Sequence, residues 1–100
     1  MAIGQSYLDK VRLYVRLTTQ TFDSELSDLI NAARADMVLG GVLEARAADE
    51  SDPLVLRAVA TYVKAEFGLD NADSEKYRAA YNELKTRLML ADAYIAEEEV

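Results

Sequence analysis

Apolar residues recur along this chain at helical spacings of three and four, and nowhere do they alternate with polar ones for the length of a strand. Four amphipathic stretches result. Between Ser6 and Leu17, Leu8, Val11 and Val15 share one face with Tyr7 and Tyr14 at its edge, while Arg12 and Arg16 lie off it. Ser6 followed by Asp9 reads as a helix start. The run Thr18-Thr19-Gln20-Thr21 then favours a turn over a helix interior. From Phe22 to Gly40 the stripe comprises Phe22, Leu26, Leu29, Ile30, Ala33 and Met37, with Asp23 and Glu25 in the first turn, where the helix dipole favours negative charge. Gly40-Gly41 reads as a helix stop, and Val42 is placed for the apolar contact that follows one.

The third stretch is the most apolar. Asp52 is a helix cap, Pro53 suits the first helical position and Gly68 a left-handed stop. Between them only Arg57, Thr61 and Lys64 make a polar stripe, so this helix must be covered on several sides, by its own domain or by another subunit. The fourth stretch, capped by Asp73 or Ser74, has Tyr77, Ala80, Tyr81, Leu84, Leu88 and Ala91 as its seam. Lys76 and Arg87 border the seam on one side and Arg78 and Lys85 on the other, their methylenes over the rim; Met89 and Leu90 point away from it. Residues 43–51 form a long polar connection, either a functional loop or a place for a short helical turn. The pattern predicts an all-α, four-helix single domain with helices near 6–17, 22–40, 53–67 and 74–91. Residues 1–91 make the helical domain and 92–100, with four carboxylates and no basic group, a solvated flexible tail.

Composition narrows the chemistry. With no Cys and no His, the chain lacks thiolate nucleophiles, disulfides, the commonest general base and the usual zinc ligands. A net charge of −7 argues against holding nucleic acid by neutralising phosphates. No stretch approaches the roughly 20 apolar residues that span a bilayer, and a secretory signal is not visible, so a soluble cytoplasmic protein is expected. No nucleotide loop is present, since Gly40-Gly41 is not followed by Lys and a hydroxyl residue. Asp23, Glu25 and Asp28 diverge on a helix, and Asp49, Glu50 and Asp52 lack the spacing of a calcium loop. The expectation is no catalytic residue, cofactor or metal. The six tyrosines sit on apolar stripes and read as core and rim rather than a base-stacking platform.

Glu66 falls inside the apolar arc of the third helix, near a C-terminus where the dipole disfavours it. Either it reaches water at a frayed end, the favoured reading, or it forms a salt bridge to an arginine within or between subunits.

The chain resembles the small head-tail connector proteins of tailed phages, also described as head-completion or DNA-packaging proteins. The resemblance rests on Leu8-Asp9-Lys10-Val11-Arg12-Leu13-Tyr14-Val15-Arg16-Leu17-Thr18-Thr19, Phe22-Asp23-Ser24-Glu25-Leu26, Ala32-Ala33-Arg34-Ala35-Asp36, Gly41-Val42, Asp52-Pro53-Leu54, Tyr62-Val63-Lys64-Ala65-Glu66-Phe67-Gly68, and Tyr77, Tyr81 and Leu84-Lys85. It spans about residues 6 to 90, through order and spacing rather than any single motif. It implies a non-catalytic structural subunit in the virion, at the head-tail interface, assembled in host cytoplasm. Its implied partners are itself, as a cyclic homo-oligomer matching the portal symmetry, the portal protein, and a tail or stopper protein. DNA passes through the ring's channel without sequence-specific binding, and no membrane is involved. The apolar or misplaced residues Leu13, Leu17, Val38, Leu39, Leu56, Glu66, Phe67, Met89 and Leu90 are the candidate interface; each apolar one could equally be a singly exposed side chain. The alternative reading is a small monomeric helical interaction module, for instance a regulator, with a carboxylate-only metal enzyme behind it.

Overall fold

A computed structural model describes residues 2–67 and 72–96. Among these there are helices and no strand: α1 (Gln5–Tyr14), α2 (Asp23–Gly40), α3 (Glu44–Ala47), α4 (Pro53–Glu66), α5 (Ser74–Met89) and α6 (Asp92–Ile95). The four long helices are those predicted by periodicity. The chain occupies 45 × 28 × 18 Å, so the helices lie in about two layers of a helix diameter of roughly 10 Å.

The helix α4 is central, packing against α5, α2 and α1. Its Asp52 cap accepts from the Leu54 and Val55 amides at 2.8 and 3.2 Å, and Pro53 occupies the first turn. Val55, Ala58, Val59, Ala60, Val63 and Ala65 are buried; the small alanines let neighbouring backbones approach. Val55, Ala58, Val59 and Val63 join Leu8 and Val11 of α1, Leu26, Ile30, Ala33 and Met37 of α2, and Tyr81 and Leu88 of α5 in one core. The side of α4 bearing Leu56, Ala60 and Phe67 is covered largely within the subunit: Ala60 is buried, and Leu56 and Phe67 are half-buried against the core. Phe67 also meets Phe22 edge-on at 5.6 Å. The expected stop at Gly68 lies outside the described residues.

Several boundaries differ from the sequence reading, each for a local reason. The first helix begins at Gln5 with Gly4 at its cap position, and no side chain of Ser6 caps it. Instead the Gly4 amide donates to Glu50 Oε2 at 2.9 Å, a partner far along the chain. It ends at Tyr14 rather than near 17 because Arg16 adopts φ 60°. The Arg16 and Leu17 amides then donate back to the Leu13 and Arg12 carbonyls at 3.0 and 3.1 Å, the hydrogen-bond pattern of a helix stop that ordinarily uses glycine. Gly41, at φ 118°, closes α2 in the same way, its amide donating to Val38 and that of Val42 to Met37, with Val42 buried beside them.

The connection 43–51 holds the one-turn helix α3. Residues 92–96 are not the free tail expected: Asp92–Ile95 forms α6, the Leu43 amide donates to the Tyr94 carbonyl at 2.8 Å, and the Tyr94 hydroxyl donates to Asp52 Oδ2 at 2.7 Å. Tyr94 breaks the acidic pattern and supplies an aromatic ring that packs against the core edge. Residues 97–100 lie outside the described residues. Met89, expected to point away, packs on the core where Gly40 admits it: a Cβ at Gly40 would lie 2.9 Å from Met89 Sδ. That contact brings the C-terminal ends of α2 and α5 together.

Candidate assembly surface

Of the candidate interface residues, the structure separates three from the rest. Leu13, Leu39 and Leu90 are 74, 88 and 78 % exposed. Leu17, Val38, Leu56, Phe67 and Met89 are half-buried against the subunit's own core. Glu66 is engaged too. Rather than reaching water unpaired, it accepts both Arg78 Nε at 3.0 Å and Arg78 Nη2 at 3.1 Å, tying α4 to α5. The Arg78 hydrogen bonds and charge hold its carboxyl below the ordinary glutamate range against the opposing effect of burial. The intersubunit version of this salt bridge is therefore not what the structure holds.

These three leucines occupy two places. Leu13 lines a shallow recess with Lys10, Tyr14 and Leu56, between α1 and the start of α4. Leu39 and Leu90 flank the Gly40–Met89 contact at the joined ends of α2 and α5. Beside the recess, a groove follows the Arg57, Thr61 and Lys64 stripe of α4 between Tyr14 and the α5 ridge of Tyr77, Ala80 and Arg87. The Lys64 ammonium lies 5.8 Å from the Tyr14 ring centre and 5.6 Å from that of Tyr77. Ala80, expected in the buried seam, is exposed on this ridge; of that seam, Tyr81 and Leu88 are the buried members.

Of the acidic residues weighed as metal or acid-base sites, Asp23, Asp49, Glu50 and Asp52 make contacts within the chain. Asp23 takes Arg12 Nε and Nη2 at 3.0 and 2.8 Å, pinning α1 to the start of α2, while Arg12 Nη1 also reaches Asp9. Asp49 accepts from the Ser51 amide and hydroxyl, Glu50 from Gly4 and Arg34, and Asp52 caps α4. Among the described residues no group of three carboxylates is arranged to hold a metal ion, and no helix is long and apolar enough to cross a membrane.

Sequence reasoning missed Arg34, which is fully buried on α2. Its Nη2 reaches Glu50 Oε2 at 3.2 Å, its Nη1 the Ala2 carbonyl at 3.1 Å, and its guanidinium lies over the Tyr7 ring at 5.2 Å. Tyr7 is also buried, and burial pushes its phenol up to about 12 against the lowering influence of Arg34. One signal was available: Arg34 lies four residues after Ile30 and three before Met37, on the buried stripe itself. A second cluster joins three helices, where Asp36 of α2 accepts from Tyr81 and Lys85 of α5 at 2.6 and 3.0 Å, and Tyr62 of α4 stacks edge-on against Tyr81 at 5.0 Å. Burial raises Asp36, but those hydrogen bonds and the Lys85 charge leave it below the ordinary aspartate range.

The described residues thus form a helical domain with polar clusters that join its own helices and with its three most exposed leucines at two separate places. Neither a curated protein nor a solved structure matches the chain. The sequence model described as phage connector protein matches residues 7–95. That match covers all six helices except the first two residues of α1, so the chain belongs to the phage connector protein family.

Proposed function

We propose that this protein is a structural, non-catalytic adaptor that assembles as a cyclic ring beneath the portal vertex, extends the DNA channel, and docks a tail or stopper component as the head is completed. The observation that carries the reading is the family match over residues 7–95. Two physical features support it. A ring needs each subunit to offer two different surfaces that meet head to tail, and the three most exposed leucines lie at two separate places. A conduit should let a duplex slide, and a net charge of −7 suits a wall that does not grip phosphates.

The test is electron microscopy and light scattering on the full chain, at high concentration and with portal-bearing capsids. Rings alone or on the portal are the expected result. A strict monomer under both conditions, with no binding to the portal, would favour a monomeric helical interaction module instead. The portal arm is essential because a partner surface can drive an assembly that the free subunit does not reach.

A further inference from the structure

We propose that the repeating contact of the ring seats the Leu39–Leu90 end of one copy in the Lys10, Leu13, Tyr14 and Leu56 recess of the next. The inference rests on the connector reading and assigns its subunit interface. Leu39, Leu90 and Leu13 are the most exposed of the large apolar residues described, at 88, 78 and 74 %. Exposed leucines scattered singly would need no account. These three sort into two places on the subunit.

Leu13 belongs to the recess, roughly 490 Å³ of open apolar-lined space between α1 and α4. Leu39 and Leu90 stand exposed at the end where Gly40 lets Met89 close α5 onto α2. A patch that matched itself would give a closed two-fold dimer; two different surfaces at different places on one subunit give the head-to-tail contact from which rings are built. Charge follows the same division. Lys10 borders the recess and Arg57 lies across Tyr14 from it. Neither has an acidic side-chain partner among the described residues. At the Leu39–Leu90 end Asp92 is exposed two residues after Leu90, and the nearby cation Arg87 is already paired with Glu83 at 2.7 Å. That end is thus apolar with a carboxylate beside it, and the recess apolar with a basic border. A second copy of the chain satisfies both.

The chain has no cysteine, so single thiols report contacts directly. Leu13→Cys and Leu90→Cys replace exposed side chains and should leave the melting temperature unchanged. Mixed in equal amounts under ring-forming conditions and oxidised, the two variants should give a 13–90 cross-linked dimer, each alone should not, and the double variant should give a ladder. Leu39→Asp should weaken self-association by roughly thirtyfold, as for loss of a buried anchor. Lys10→Asp should weaken it too, and adding Asp92→Lys should restore it. Rings that form without 13–90 cross-linking, or cross-linking of either variant with itself, would overturn the assignment and leave the connector reading standing. A chain that stays monomeric even with portal-bearing capsids would overturn both.

Discussion

Arg34 and Glu50 show most sharply how single side chains hold this subunit together. A guanidinium with no solvent exposure is tolerated because a carboxylate, a backbone carbonyl and an aromatic face surround it. Removing the carboxylate strands the charge, so Glu50→Ala should destabilise by about 3 kcal/mol, the low end for breaking a buried pair because Glu50 itself is one-third exposed. Adding Arg34→Met removes the stranded charge and should recover much of that loss in urea melts. Arg16 offers the opposite change. It holds a left-handed conformation at φ 60° that costs a non-glycine residue about 1 kcal/mol. Arg16→Gly should therefore raise stability by up to about 1 kcal/mol, less the extra freedom glycine has when unfolded.

Titration adds a pH signature at the same scale. The Arg78 hydrogen bonds and charge lower Glu66, and Asp36 is also lowered, from unfolded values of 4.5 and 3.8. Groups that ionise more readily when folded stabilise the protein above their unfolded pKa, and that contribution is lost as pH falls through the folded value. Stability should thus drop below about pH 4, and Glu66→Gln should cost more at pH 7 than at pH 3. Equal loss at both would mean the Glu66–Arg78 pair does not contribute. At the alkaline end, burial raises Tyr7 to about 12 from 10.0. Its protonated form is favoured by folding, so stability should decline as pH rises from 10 towards 12, and ultraviolet titration should show tyrosine ionising late.

At the scale of elements, α4, like α2, touches every other long helix. Val59 is fully buried at its centre, so Val59→Asp places an unpaired charge in the core and should abolish folding, as read by circular dichroism. Leu26→Ala on α2 should cost about 2 to 5 kcal/mol for the cavity it leaves. The acidic end is a more discriminating case. Because Tyr94 bonds both Leu43 and Asp52, deleting residues 92–100 should lower stability measurably. If that deletion melts like the parent, the α6 contacts add nothing.

For the whole molecule, the ring, the portal and the tail component are the partners to test, and the Leu13 recess and the Leu39–Leu90 end are where self-association should be sensitive. The four long helices, the Asp52-Pro53 start and the Gly41 stop were legible in the sequence because each depends on residues within about five positions of one another. The amphipathic period likewise identified most of the core, from Leu8 through Met37 to Leu88. Only tertiary structure decided which polar groups meet, because those partners lie far apart in the chain: Arg34 with Glu50 across 16 residues, Asp52 with Tyr94 across 42, and Asp36 with Tyr81 across 45. Periodicity says which face of a helix is apolar but not how much of it a neighbour covers. Leu56, Phe67 and Met89 were therefore indistinguishable in sequence from Leu13, Leu39 and Leu90 until the packing of α4, α5 and α2 absorbed the first three and left the others in water.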